Sequence, residues 1–501
     1  MAFPSRSRLL ATVPDKAFHT VGSYRPVLRC TVARTLVQSR PHAIQAGLVD
    51  RSSDHSFIPP GFLPSKAPSL APSPQRLHTN APYWQHIGIW RAVSEEDFLS
   101  YRWQVANTID RKDKLMRFLA GVLPDRIPQP PGLESSLHGI RTREDLIADV
   151  EAGIKAAPMA IRLTPHVLSV ADWSNPLVDP IRRQFVPLQS TRRPDHEALS
   201  FDSLHETADS PVPGLVHRYP DKVLFLATSV CPVYCRFCTR SYAVGSNTES
   251  VTKASQRPTR KRWEAMFEYI EQTPEVQDVV VSGGDSYYLQ PDQLRAIGER
   301  LLSIPHVQRF RFATKGLAVC PMRILDKSDA WSDAFIALSD QGRQMGKQVA
   351  MHTHFNHPRE ITWATSLAAK YLFQRGVTVR NQTVLLRGVN DDVSTMSLLI
   401  RRLADLNITP YYVYQSDLIR GVEDLRTPLS TILRLEKHLR GTIAGFMMPS
   451  FVVDLPGGGG KRLANSFEAY DEGTGVSTWK APGVAGDEVF TYHDPVKDES
   501  V

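Results

Sequence analysis

Cys231-Pro-Val-Tyr-Cys235-Arg-Phe-Cys238 is the stretch on which the reading of this chain turns. It follows Val223–Ala227, a short apolar run with the composition of a buried strand, so three cysteines sit on a tight loop where a strand ends. The spacing lets three thiolates approach one site. A structural zinc ion wants four ligands, usually in two pairs. The only other cysteines are Cys30 and Cys320, although a nearby histidine could complete a zinc set. Three thiolates alone better suit a cubane iron–sulfur cluster, with one iron left open to chelate a ligand.

Outward from this loop, apolar runs alternate with helical patterns. Strands are expected at Val223–Ala227, Asp278–Ser282, Arg309–Ala313, Gln348–His352, Thr378–Val384, Thr409–Tyr414 and Phe451–Val453. Helices are expected between them, at Lys261–Gln272, Pro291–Leu302, Ser328–Arg343, Trp363–Gln374, Val393–Leu406 and Leu429–Leu439. Strands separated by helices imply βαβ units and a parallel sheet. About six such units predict an α/β fold, a partial (β/α) barrel, whose chemistry belongs at the C-terminal strand ends. A mainly helical region is expected before it, with Ser94 capping a helix that opens Glu95-Glu96-Asp97. A connector studded with Pro and Asp then runs to about Pro220.

The chain has 501 residues and a formal net charge of +7. That length is ample for a large core, and no stretch approaches the roughly 18 apolar residues of a membrane span. Five cysteines, an odd number with three clustered, argue against a secreted disulfide framework. Residues 1–49 hold seven basic residues and one acid, and so carry six of the seven excess charges. Arg-rich, Ser-rich and acid-poor, they read as a mitochondrial transit peptide, with a cytoplasmic location and a plain basic tail as alternatives. The rest is nearly neutral, which leaves little to attract nucleic acid. Residues 58–75 contain six prolines and read as an extended linker. The expected organisation is transit peptide 1–49, linker 50–82, helical region 83–205, barrel core 206–462 and tail 463–501.

Near the end of the core stands Asp454-Leu-Pro-Gly457-Gly-Gly-Gly460-Lys461. A Walker A loop needs Gly at position 455 and Ser or Thr after the lysine, and Leu455 and Arg462 stand there instead. Four glycines permit unusual backbone angles and close approach. A lysine beside such a loop is a candidate Schiff-base nucleophile, although a flexible loop ending in a solvated lysine has the same sequence.

The cysteine motif after a first strand resembles the radical S-adenosylmethionine family. With PGGGGK it resembles the lysine 2,3-aminomutase family, over roughly Trp84 to Lys461. Asp209–Asp221 (DSPVPGLVHRYPD), Cys238–Arg240 (CTR), Ser282–Asp285 (SGGD), His352–Thr362 (HTHFNHPREIT), Asn381–Asp391 (NQTVLLRGVND) and Tyr411–Leu418 (YYVYQSDL) carry the likeness. The resemblance implies conversion of L-lysine to β-lysine, started by a 5′-deoxyadenosyl radical acting on a pyridoxal-phosphate external aldimine. It implies a 4Fe–4S cluster on Cys231, Cys235 and Cys238, S-adenosyl-L-methionine on its open iron, and pyridoxal 5′-phosphate on Lys461.

By the same resemblance, Arg240 holds the substrate carboxylate, and Asp417 and Asp454 hold the distal ammonium. Two anions around one cation select a cationic side chain; arginine or ornithine would satisfy them too. Arg218, Tyr219 and Lys222 match positions near pyridoxal phosphate. Phe237, Ser282, Gly283, Gly284, Asp285, His354 and Gln382 match positions near S-adenosylmethionine or between the cofactors. A ferredoxin- or flavodoxin-like electron donor and a homo-oligomer are implied, with no membrane partner. Three departures stand out: Lys222 and Lys315 replace arginines, and Phe237 stands where lysine-specific members often have His. No cysteine follows Cys320, so the zinc site of some members is not expected.

Overall fold

The computed structural model describes residues 82–254 and 256–497. Contacts divide the chain into Met1–Ser73 and Pro74–Val501, and the first unit lies wholly outside the described residues. The expected transit peptide and all but the last residue of the expected linker lie there too.

Nine strands run in sequential order through one sheet. They are β1 (Leu215–Tyr219), β2 (Lys222–Thr228), β3 (Asp278–Gly283), β4 (Arg309–Ala313), β5 (Gln348–His354), β6 (Thr378–Val384), β7 (Thr409–Tyr414), β8 (Ser450–Leu455) and β9 (Gly460–Leu463). Strands β2 to β8 are parallel, and β1 and β9 add antiparallel edges. The expected α/β barrel is therefore present, with the helical region before it. The crossover helices are Arg260–Glu271, Pro291–Ser303, Trp331–Gln344, Trp363–Gln374, Val393–Asp405 and Leu429–Leu439. Caps fix several starts: the Thr259, Thr362 and Asp392 side chains each accept a backbone N–H of the first turn.

Side chains alternate across each strand, and the two faces have different tasks. On β4, Phe310 and Phe312 point out into the helix layer and are fully buried, while Arg311 and Ala313 line the barrel cavity. On β6, Val379, Asn381 and Thr383 are buried while Gln382 and Val384 line the same cavity. The apolar core thus lies between sheet and helices, and the interior is left for ligands.

Two edge strands were not foreseen. β1 pairs with β2 across the two-residue turn Pro220-Asp221, and β9 pairs with β8 across the glycine run. The sheet curls until these edges meet: the Tyr219 hydroxyl on β1 accepts the Lys461 backbone N–H on β9 at 3.2 Å. The connector before the barrel also holds two short helices, Pro165–Val170 and Pro180–Phe185. Their prolines open the helices behind Thr164 and Asp179 caps, where a missing N–H costs nothing.

Residues 463–501, expected as a tail, contain a three-stranded antiparallel sheet of β10 (Ala469–Asp471), β11 (Val476–Lys480) and β12 (Val489–His493). The Tyr492 hydroxyl donates to the Ser416 carbonyl at 2.8 Å and accepts from Gln415 Nε2 at 3.1 Å. This sheet therefore buttresses the loop that carries Asp417. Among the described residues no helix is long and apolar enough to cross a membrane.

Candidate active site

Two adjoining cavities occupy the barrel. One of about 220 Å³ is lined by Arg218, Tyr219, Lys222, Arg240, Asp417, Asp454 and Lys461. The other, of about 160 Å³, is lined by Cys231, Cys235, Cys238, Gly283, Gly284 and Asp285. Phe237, Arg240, Ser282, His354 and Gln382 line both. The residues singled out from the sequence are thus all gathered around one connected space.

The three cysteines are free thiols. Burial raises each of them, Cys235 to about 12, so an electropositive partner is needed to hold them as thiolates. Among the described residues no three His, Cys, Asp or Glu side chains come together as ligands of one metal ion. Cys231, Cys235 and Cys238 nevertheless line a single cavity. Three thiols on one loop are the donor set that would hold an iron–sulfur cluster, which would supply one-electron chemistry there. The loop is clamped by Arg236, between two of the cysteines, whose Nη2 grips both Asp424 oxygens at 2.9 and 3.0 Å.

The Ser282–Asp285 segment continues from β3 alongside the start of that loop. Gly284 N–H donates to the Thr228 carbonyl at 2.5 Å, and Asp285 N–H to the Val230 carbonyl at 3.0 Å. A side chain on Gly283, with φ of 111°, would strike the Thr228 carbonyl, and one on Gly284 would strike Val230. The glycines are thus required by close packing against the cysteine loop. The Asp285 oxygens accept the Tyr287 and Lys315 N–H groups at 2.8 Å each, which fixes the carboxylate at the cavity wall.

His354 and Gln382 stand side by side in the β5–β6 register. Burial, then the Lys315 charge, pushes His354 down to about 3, so its ring is neutral. Lys315, in the family's arginine position, is buried and bonds Glu360 Oε1 at 2.9 Å and the His354 carbonyl at 2.8 Å. Phe237 packs against Leu386, Val389 and Leu425, with its ring 5.7 Å from His354.

At the other cavity, the antiparallel register sets Lys461 opposite Asp454, and Lys461 Nζ lies 2.7 Å from Asp454 Oδ2. Burial alone would lower the ammonium, but Asp454, with Tyr414 and Tyr219, carries it well above the ordinary lysine value. The glycine run makes this hairpin possible: Gly457, Gly458 and Gly460 all have positive φ, and a Cβ on Gly460 would press on the Tyr219 hydroxyl at 3.0 Å. Lys222 Nζ lies 3.8 Å over the Tyr219 ring, and burial, then Lys461 and Arg311, depresses it to about 8. Arg218 is already engaged, with Asp209 Oδ2 at 2.7 Å and the Leu204 carbonyl.

Asp417 and Asp454 each keep a buried Oδ1 without a hydrogen-bond partner. Burial, then the Asp454 charge, lifts Asp417 to about 8. Arg240, expected to meet a substrate carboxylate, already forks onto Glu206, at 2.8 Å from Nε to Oε2 and 2.6 Å from Nη2 to Oε1. Sequence reading missed Glu206. An isolated acid in an irregular loop has no periodicity to mark it, although it stands three residues before Asp209.

No family model matches the chain. An L-lysine 2,3-aminomutase of Acetoanaerobium sticklandii is 38% identical over 373 residues, covering 74% of this chain and 79% of the relative. A glutamate 2,3-aminomutase of Clostridioides difficile is 30% identical, covering 74% and 77%. The structure of SuiB from Streptococcus suis bound to S-adenosylmethionine matches with a TM-score of 0.35 and 13% identity, over 47% of this chain and 51% of that one. That last likeness is too slight to carry weight. The chain belongs to the lysine 2,3-aminomutase family, and it is an isomerase of the aminomutase kind.

Proposed function

We propose that this aminomutase converts L-lysine to β-lysine, using a 4Fe–4S cluster, S-adenosyl-L-methionine and pyridoxal 5′-phosphate. The observation that carries the substrate reading is the pair of unpartnered buried oxygens on Asp417 and Asp454, in the cavity that Lys461 and Arg240 also line. A buried carboxyl oxygen without a partner is costly, and a substrate ammonium would satisfy both. A second carboxylate on the substrate, as in glutamate, would add repulsion instead.

Cys231, Cys235 and Cys238 would hold the cluster, and Lys461 the pyridoxal phosphate, with Tyr219 and Lys222 beside it. Ser282–Asp285, Phe237, His354 and Gln382 would surround S-adenosylmethionine. When bound, these groups supply one-electron hydrogen abstraction and a conjugated ring that spreads unpaired electron density. The protein's part is positioning. Lys461 is nucleophilic only after losing a proton, and Asp454 Oδ2, 2.7 Å away, is the nearest acceptor. Once that proton has passed on to solvent, ionised Asp454 would be free to share the substrate ammonium with Asp417. Arg240 would anchor the α-carboxylate at the opposite end.

The proposal extends to a ferredoxin- or flavodoxin-like electron donor and to a homo-oligomer. Delivery to the mitochondrial matrix rests on the composition of residues 1–49 alone. The two relatives above are bacterial and lend it no support, and the cytoplasm is the alternative.

The test is an anaerobic product assay by mass spectrometry with lysine, arginine, ornithine and glutamate. Lysine should give the β-isomer, and borohydride trapping of pyridoxal phosphate should vanish in Lys461→Ala. Turnover of glutamate in preference to lysine would overturn the substrate reading.

A further inference from the structure

The guanidinium of Arg240 offers five N–H donors in a plane, arranged as a side fork (Nε with Nη2) and an end fork (Nη1 with Nη2). Glu206 fills the side fork with both of its oxygens, at 2.8 and 2.6 Å. Its grip is itself fixed, because the Tyr242 hydroxyl donates to Glu206 Oε2 at 3.0 Å and the Glu206 backbone N–H donates to Asp202 Oδ1 at 2.9 Å. Glu206 is 4% exposed. Among the described residues no hydrogen bond leaves Nη1 of Arg240, and Arg240 lines both cavities. An arginine that gives its side fork to a buried carboxylate has only its end fork left for a second anion, and cannot rotate to change that.

We propose that Glu206 is a positioning residue for substrate recognition: by occupying the side fork of Arg240, it presents the end fork to the α-carboxylate and sets the plane in which that carboxylate docks. This rests on the reading of Arg240 as the carboxylate anchor. It also makes a substrate's carboxylate, more than its side chain, the part sensitive to Glu206.

The reconstituted holoenzyme tests this through steady-state kinetics with lysine and through inhibition by 1,5-diaminopentane, which keeps both amino groups and lacks the carboxylate. Glu206→Gln weakens a charge-assisted fork, and should raise the KM of lysine by about tenfold to a hundredfold. It should change kcat far less, and should shift the inhibition constant of diaminopentane much less than the KM of lysine, since Glu206 reaches the ammonium site only through the charge it adds near Asp417. Glu206→Asp, which restores the charge, should recover part of the loss. Tyr242→Phe, which removes one donor to Glu206 and none from Arg240, should shift KM in the same direction by less, and serves if Glu206→Gln does not fold. Unchanged KM in these variants overturns the inference, as does a parallel weakening of diaminopentane, which would mark a general structural role. Arg240→Lys separates this from the underlying reading. If it leaves the KM of lysine unchanged, Arg240 is not the anchor. If it raises KM while Glu206→Gln does not, only the role of Glu206 falls.

Discussion

Asp417 is the residue whose charge the proposed chemistry most depends on. Burial and the nearby Asp454 carboxylate lift it to about 8, while Lys461 pulls the other way. A proton and a substrate ammonium therefore compete for the same carboxyl. Below about pH 8 the proton is held and cation binding is weaker; as pH rises through that value the carboxylate is freed and binding strengthens. The expected result is a lysine dissociation constant that falls as pH is raised from about 6.5 to 8 and then levels. In Asp417→Asn the competition is gone, so affinity should be weak and nearly independent of pH over that range. A wild-type dissociation constant that does not change with pH would refute the account. At this scale the sequence was informative where chemistry restricts the choice of residue. Three cysteines at fixed spacing and a lysine after four glycines announce themselves. Glu206 and Glu360 do not, because a buried acid is recognisable only by the cation it faces.

At the scale of elements, the parallel strands were legible because each is buried on its outer face and bounded by helical periodicity. Val279 and Val281 on β3, and Phe310 and Phe312 on β4, leave an apolar trace that needs no partner to be seen. β1 and β9 left none: the first holds His217 and Arg218 at its centre, and the second begins in the glycine run. Their pairing depends on turn geometry and on Tyr219 meeting Lys461, which are tertiary facts. Phe312 is fully buried and makes edge contacts with Phe310 and Phe335, at centroid distances of 5.9 and 5.7 Å. Phe312→Ala should cost about 3–5 kcal/mol of stability through lost burial and the cavity left behind. Urea unfolding should show the lower midpoint with an unchanged slope. A loss below about 1 kcal/mol would mean that the helix layer collapses onto the gap.

Among the described residues the nine-stranded sheet curls on itself with no backbone ladder between β1 and β9. Its two edges meet through side chains, with Tyr219 on β1 accepting from Lys461 on β9 and Lys222 resting over the same ring. Pyridoxal phosphate held by Lys461 and bordered by Tyr219 and Lys222 would therefore touch both edges of the sheet at once. A ligand that binds only the folded state stabilises it by mass action, by about 2.7 kcal/mol at a hundredfold excess over its dissociation constant. Because the site spans the seam, that gain should appear as slower, more cooperative opening of β1 and β9, and not only as a higher midpoint. Thermal unfolding of the protein with pyridoxal phosphate should show a Tm raised by several degrees, and hydrogen exchange should show new protection in residues 215–219 and 460–463. Lys461→Ala should lose most of the thermal shift and the protection together. A Tm gain confined to the core strands, with both edges exchanging as before, would place the cofactor's contacts elsewhere in the barrel.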